Sequence, residues 1–421
     1  MVLALIAFAS WPLVIGANGP PPPGEISSGR RPPAPLTLSA AVAQARAASP
    51  RRRAAVLIAE AMRDAVRSAG RRPNPLFEFR TENWARSSRA SSPDLDVFAL
   101  VTQPVELGGK RAVRRELARS DGVVALAAAN SLERDLALET VHAYVRALKA
   151  RGLVETLAAN RDGLTLLVAT VARRVGEGYT AEADLLRFKT EAARIDGDIA
   201  RAQLELERSI AALAIIIGEP AAIDAAQLAE PPALAVPSDV SPMLAVRLQR
   251  HPDVLAATAA IERARQQTLL ERALRLPDPL ITGGYKRTAG VDTAVLGVSV
   301  TLPLFERNDS ALARAMGIEH AAVADRDALI HRLTLEAVSV IRSAQMIAER
   351  AGRVTEELLE PAEQVRRAAR AAFREGTADV LKLIDAERVY ADVQRAAIEL
   401  RLDAVLTTIE ARFALGEETI P

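Results

Sequence analysis

Four histidines, His142, His251, His320 and His331, are the chain's whole supply of imidazole, and it has no cysteine. A tight transition-metal cage needs three or four imidazole or thiolate ligands at short, regular spacings. These four are scattered, so a metal ion meeting this protein is expected to pass through and not to bind. The lack of cysteine also excludes disulfides, thiol nucleophiles and a lipidated N-terminal cysteine. No phosphate-binding glycine loop, nucleophile elbow or paired-carboxylate motif stands out. The expectation is a protein that is not an enzyme, with no cofactor and no resident metal.

Charge and composition narrow the class further. The 421 residues carry 54 basic against 53 acidic side chains, evenly spread, which gives no nucleic-acid footprint. Runs such as Arg51-Arg52-Arg53 read as solvated helix faces. Hydrophobic residues make up 49% of the chain and aromatic ones 3%, a composition that builds slim, alanine-rich helices better than broad cores.

The elements come in two copies, offset by 198 to 204 positions. Pro73-Asn74-Pro75-Leu76 returns as Pro277-Asp278-Pro279-Leu280, and Val101-Thr102-Gln103-Pro104 as Val300-Thr301-Leu302-Pro303. Gly178 through Leu185 returns as Gly376 through Leu383, and Gly218-Glu219 as Gly416-Glu417. Four landmarks in one order mark a duplication.

Each copy reads as helix, strand pair, long helix, helix. Leu36 to Ala69 is rich in helix formers, and Arg71-Arg72-Pro73-Asn74-Pro75 stops it. Phe77 and Phe79 then alternate with Glu78, Arg80 and Glu82, a strand wet on one side. A polar loop, Ser87 to Pro93, leads to the returning strand, so residues 76–83 and 95–103 form a hairpin. Residues 279–287 and 293–302 repeat it, with Ala294, Leu296, Val298, Val300 and Leu302 on one apolar face and Thr293, Gly297, Ser299 and Thr301 on the other. Two uninterrupted helical stretches follow, Arg111 to Val175 and Ala311 to Arg374, each ~95 Å long at the helical rise. Such helices must pack on one another as antiparallel coiled coils. The seams show as Leu138, Val141, Val145 and Leu148, and as Ile195, Ile199, Ala202, Leu206, Ser209, Leu213 and Ile216.

The start, Met1 to Ala17, reads as an export signal, apolar and followed by Ile15-Gly16-Ala17, though it lacks a basic leader. The expected layout is a signal peptide at 1–17, a Pro-rich segment at 18–35, a first repeat at 36–219, a linker at 220–240 and a second repeat at 241–417. No helical stretch is apolar enough to span a bilayer, so any crossing must use strands. Four amphipathic strands leave two open edges, and single-chain outer-membrane barrels begin at about eight strands, so closure needs further copies of the chain.

At this point the residues resemble a known family, the TolC-like outer-membrane efflux proteins, over essentially the whole mature chain. The resemblance rests on the duplicated plan, on the Gly178 to Leu186 turn and on Leu415-Gly416-Glu417. The stretch from Gln103 to Arg111, containing Gly108-Gly109-Lys110, is similar to the cation-efflux (CzcC-like) branch. The resemblance implies a mainly α protein with a small β part. Its long antiparallel coiled-coil helices and four transmembrane strands per chain complete a trimeric twelve-stranded barrel and an α-helical tunnel. It implies an outer-membrane location with the tunnel in the periplasm, and contacts with lipid, a periplasmic adaptor and an inner-membrane efflux pump of the resistance-nodulation-division type. The chain would be a passive exit duct for heavy-metal cations. A drug-efflux or type I secretion duct, or a periplasmic coiled-coil scaffold that forms no channel, are the alternatives.

The resemblance also assigns roles. Asp184 and Asp385 match acidic positions that ring and gate the periplasmic aperture, with Lys382 standing where the family is often acidic. Ordinary solvated helix surface is the competing reading. Gly178, Tyr179, Thr180, Gly376, Thr377 and Ala378 would form adaptor-contact tips, and the two glycines there also suit tight interhelical turns. Gly108 and Gly109 are read as a pivot between strand and helix, and Glu78, Arg80, Glu82 and Lys286 as lumen-facing or simply solvated strand positions.

Overall fold

A computed structural model describes residues 35–82, 95–219, 223–237, 244–418 and 420. The export signal, all but the last residue of the Pro-rich segment, the Ser87 to Pro93 loop and the two ends of the 220–240 linker lie outside the described residues. The chain divides into Met1–Pro35 and Leu36–Pro421, and the second unit carries every element described below.

Two short helices open it, α1 (Leu38–Ala48) and α2 (Pro50–Ala69). One helix was expected over this stretch. It breaks because the Ser49 hydroxyl accepts from the Arg52 amide at 3.3 Å and Pro50 takes the first helical position, where its missing N–H costs nothing. Next come β1 (Leu76–Glu82), β2 (Asp96–Pro104), α3 (Lys110–Gly176) and α4 (Glu182–Ile217). The second copy follows as α5 (Leu244–Gln249), α6 (Pro252–Leu274), β3 (Leu280–Thr288), β4 (Val291–Ser299), α7 (Asp309–Val354), α8 (Glu360–Arg374) and α9 (Val380–Ala414). With 67 residues, α3 runs ~100 Å.

The long helix of the second copy differs from its twin. A π-turn at Thr355–Leu359 separates α7 from α8 where one unbroken helix was expected. Pro361 lies just beyond and has no amide to donate back into the preceding turn, so the ladder widens there.

The strands form one antiparallel sheet in the order β1-β2-β3-β4, so the two hairpins also pair with each other. The register gives the sheet two unlike faces. Glu78, Arg80, Glu82, Phe98 and Lys286 share one. There the Arg80 guanidinium lies 4.7 Å and the Lys286 ammonium 5.3 Å from the Phe98 ring centre. Phe77, Phe79, Val97, Ala99, Val101, Ile281, Ala294, Leu296 and Val298 share the other face, and Leu296 is 84% exposed. Between β3 and β4 the turn is tighter than expected: Ala289 and Gly290 alone make it, both with positive φ. The Asp96 carboxylate accepts from the Ala289 amide at 3.1 Å and helps hold that unusual alanine. β4 ends at Ser299 and not at Leu302, because its partner β3 begins at Leu280, directly opposite.

Three apolar clusters hold the helices. Leu38, Val42, Val141, Tyr144, Leu148, Leu213, Ile409 and Phe413 join α1, α3, α4 and α9. Leu164, Val171, Phe188, Ile195, Phe373 and Leu383 form a second near the helical turns, and Leu248, Val254, Leu333, Ile341 and Leu415 a third. The stepped seam residues expected on α3 and α4 lie in or against these clusters, apart from Ala202 and Ser209, which are buried outside them. No helix among the described residues is long and apolar enough to cross a membrane.

Candidate functional site

At the end of each long helix the chain reverses by the same device. Gly178 (φ 80°) and Gly376 (φ 78°) adopt the left-handed conformation that closes a helix, and the next amides, Tyr179 and Thr377, donate five residues back to the carbonyls of Arg174 and Ala372 at 2.9 Å. These turns leave Gly178, Tyr179, Gly376 and Thr377 exposed, with Thr180 and Ala378 half-buried. All six expected tip residues therefore sit on the two interhelical turns.

The two tips are fastened side by side. The Arg174 guanidinium donates to the carbonyls of Phe373 at 2.8 Å and Arg374 at 2.9 Å, capping the end of α8, and lies 5.2 Å from the Phe373 ring. Phe373 meets Phe188 of α4 edge to face at 6.2 Å. Behind this contact Glu191 of α4, 5% exposed, accepts from Arg388 of α9 at 2.9 Å and from Arg194 at 2.7 Å. Burial opposes the charged carboxylate, yet the hydrogen bonds from Arg388 and Arg194 outweigh it and hold its pKa at about 2. Beside it opens a cavity of about 390 Å³ lined by Asn160, Asp198, Arg201, Glu387, Asp392 and Arg395 among others.

Asp184 and Asp385 are not brought together by any bond. Asp184 stands in the first turn of α4, favoured there by the helix dipole, and pairs with Arg187 at 3.2 Å. Asp385 is exposed on α9, one turn before Arg388. The sequence reading missed Glu191, Arg388 and Arg174. Its available signal was a carboxylate inside an apolar stripe: Phe188, Ala192 and Ile195 surround Glu191 at helical spacing.

The strand-to-helix junction is the second built region. Gly108 (φ 68°) and Gly109 (φ 71°) both take left-handed conformations, and a Cβ on Gly108 would meet Leu276 Cδ1 at 2.6 Å. Lys110, the next residue, is buried; its ammonium donates to the Leu276 carbonyl at 2.5 Å and to the Asp278 carboxylate at 2.7 Å. Asp278 is penalised by burial but held below the usual carboxylate range by Lys110 and by the Leu107 amide. This bond ties the first copy to the second. In the second copy Asn308 (φ 60°) replaces Gly109 and donates to the Glu271 carbonyl at 3.0 Å and its carboxylate at 2.7 Å, while Arg307 has no positive φ.

The histidines stay apart. His251 is fully buried as the cap of α6, accepting from the Asp253 amide at 3.3 Å, with its pKa lowered by burial and by Arg134. His142 pairs with Glu410 at 3.2 Å, and His320 and His331 are exposed. Among the described residues no three histidine or carboxylate side chains converge on a point that could hold a metal ion.

The long paired helices carry one small sheet with an exposed apolar face, and residues 244–417 match the family described as outer membrane efflux protein. Among its relatives, the cobalt-zinc-cadmium resistance protein CzcC of Cupriavidus metallidurans is 28% identical over 361 residues, 84% of each chain. The nickel-cobalt-cadmium resistance protein NccC of Alcaligenes xylosoxydans xylosoxydans is 27% identical over 277 residues, 64% of this chain and 61% of that one. The crystal structure of the outer membrane protein VceC from Vibrio cholerae superposes with a TM-score of 0.74 at 21% identity, covering 91% of this chain and 97% of that one, which shows the shared fold.

Proposed function

We propose that this protein is the outer-membrane exit duct of a tripartite efflux system, a passive channel whose cargo is heavy-metal cations. The observation that carries the reading is the sheet: its apolar face is exposed, and among the described residues its two edge strands, β1 and β4, have no outer partner. In water such a sheet is a hazard; in a bilayer, closed by further copies, it is a barrel wall. Three chains supply twelve strands, an even number within the range of outer-membrane barrels. The face bearing Glu78, Arg80, Glu82 and Lys286 then lines the lumen, and the face bearing Phe79, Leu296 and Val298 meets lipid. The relatives named for cobalt, zinc, cadmium and nickel resistance support a metal cargo.

The paired helices extend the duct into the periplasm, with their tips farthest from the membrane. Gly178, Tyr179, Thr180, Gly376, Thr377 and Ala378 present the surface for a periplasmic adaptor, which couples the duct to an inner-membrane pump supplying the energy. Asp184 and Asp385 ring the aperture, where carboxylates attract cations and repel one another. A deletion strain tested on zinc, cobalt and cadmium checks the cargo: restored growth with the wild-type gene supports it, and unchanged metal tolerance with raised drug sensitivity contradicts it.

A further inference from the structure

Where α3 of the first copy meets α9 of the second, charged side chains form an antiparallel ladder: Lys149 faces Asp403, and two turns along His142 faces Glu410. Other carboxylates that bridge helices meet fixed cations. Lys149 takes Asp403, Arg146 takes Glu205 at 2.7 Å, and Arg370 takes Glu387 at 2.8 Å. Glu410 differs: among the described residues its ion-pair partner is an imidazole. Burial pushes its pKa above the ordinary carboxylate value, Asp403 pushes the same way, and His142 and Lys149 offset only part of this. An ionised carboxylate so placed gains from a further cation. We propose that His142 Nε2 and the Glu410 carboxylate form an exchangeable binding site for a divalent transition-metal ion of the zinc or nickel kind.

The spacing suits such an ion. His142 Nε2 and Glu410 Oε1 lie 3.2 Å apart. Two ligands on a tetrahedral zinc, with bonds of about 2.0–2.1 Å, stand about 3.4 Å from each other, so closing on the ion needs a movement of a few tenths of an ångström. The donor types suit it as well, since imidazole and carboxylate are both zinc ligands and imidazole also takes nickel. The backbone under each donor is fixed: Val141 and Ile409, the residues just before them, are fully buried in the first apolar cluster. The donors themselves stay within reach of water, His142 47% and Glu410 28% exposed, so an ion enters without local unfolding. The neutral imidazole offers the Nε2 lone pair once its proton sits on Nδ1. Two protein ligands leave the remaining positions to water, so the ion exchanges and is not resident. His251 cannot serve in the same way, because it is fully buried, its Nδ1 accepts from the Asp253 amide and the charge of Arg134 acts on it. The site goes beyond the duct reading and stands on its own geometry: an ion held there bridges the two copies of the repeat.

The test is a calorimetric titration of zinc into the purified full-length protein without a histidine tag, in which no thiol competes for the ion. His142→Ala and Glu410→Gln are each expected to weaken zinc binding at least about tenfold, the low end of what even an outer partner costs at a metal site. His331→Ala, which removes an exposed imidazole elsewhere, is expected to leave binding unchanged. Zinc should also raise the melting temperature of wild type and not that of Glu410→Gln, because an ion bound by the folded state stabilises it. His142→Asn replaces His142→Ala if the latter fails to fold. Wild-type protein that takes up no zinc overturns the site. So do His142 and Glu410 variants that bind as tightly as wild type, and so does loss of binding in His331→Ala. Failure of the metal-cargo reading is a separate result: a protein that binds zinc here but confers no metal tolerance keeps the site and loses the cargo.

Discussion

Glu191 of α4 and Arg388 of α9 are joined by a hydrogen bond of 2.9 Å from the guanidinium Nε, reinforced by a second contact from its Nη2. With the Arg174 clamp and the Phe188–Phe373 contact, this pair fastens one helical hairpin to the other near the tips. A buried carboxylate facing two guanidiniums is held hard only while all partners stay in place. Any widening that draws α9 away from α4 must break it. Glu191→Ala is therefore expected to loosen the tips, raising single-channel conductance and lowering stability by about 1–3 kcal/mol, the cost of unpaired charged partners. Unchanged conductance and melting temperature would remove the fastening role.

The same pair fixes a pH dependence. The folded pKa of Glu191, about 2, lies below its ordinary value of 4.5, so its contribution is complete above about pH 4.5 and is lost as pH falls toward about 2. Thermal unfolding of wild type is expected to be insensitive to this group from pH 7 to about 5 and to weaken below it. Glu191→Gln should flatten part of that acid limb, and an identical acid limb in both proteins would count against the assignment.

At the junction, Gly108→Ala combines a left-handed backbone with a Cβ directed at Leu276 Cδ1. Strain of about 1–3 kcal/mol is expected from the backbone and the contact together. Gly109→Ala has the same φ problem but open space around the new methyl, so it should cost less. Equal melting temperatures for the two variants would show that the Leu276 contact does not matter.

Much of this molecule was readable from its residues, and the reasons are local. Alternation at Phe77–Glu82 and the seam from Ile195 to Ile216 are periodic signals that each residue carries for itself. The paired glycines at 178 and 376 marked both tips, because a tight reversal needs positive φ. What stayed hidden depended on partners far away in sequence. The end of β4 at Ser299 is set by where β3 begins, and the Lys110–Asp278 and Glu191–Arg388 bonds join residues 168 and 197 positions apart. The break at Ser49–Pro50 was local but passed over, since a serine followed by proline is a helix-start signal inside an otherwise continuous helical composition.

If Asp184 and Asp385 ring the aperture as proposed, Asp385→Ala should lower cation permeability relative to anions in a reconstituted channel, and Asp184→Ala should act in the same direction. Asp184 already has Arg187 as a partner at 3.2 Å, so its change is expected to be the smaller of the two. Identical reversal potentials for wild type and Asp385→Ala would sink the gating role.

Tip substitutions separate docking from folding. Thr180→Trp and Thr377→Trp place bulk on the two turns without touching the apolar cluster beneath, so the oligomer should still form. Loss of metal resistance with an intact oligomer is the expected outcome. Full resistance in both variants would move the adaptor surface elsewhere.

The central claim is that the exposed apolar face and open edges of one sheet become the wall of a membrane channel. Planar-bilayer recording of the purified oligomer tests it most directly. Stepwise, long-lived conductance from a heat-modifiable outer-membrane oligomer is the predicted result, and a periplasmic monomer that inserts no conductance would contradict it.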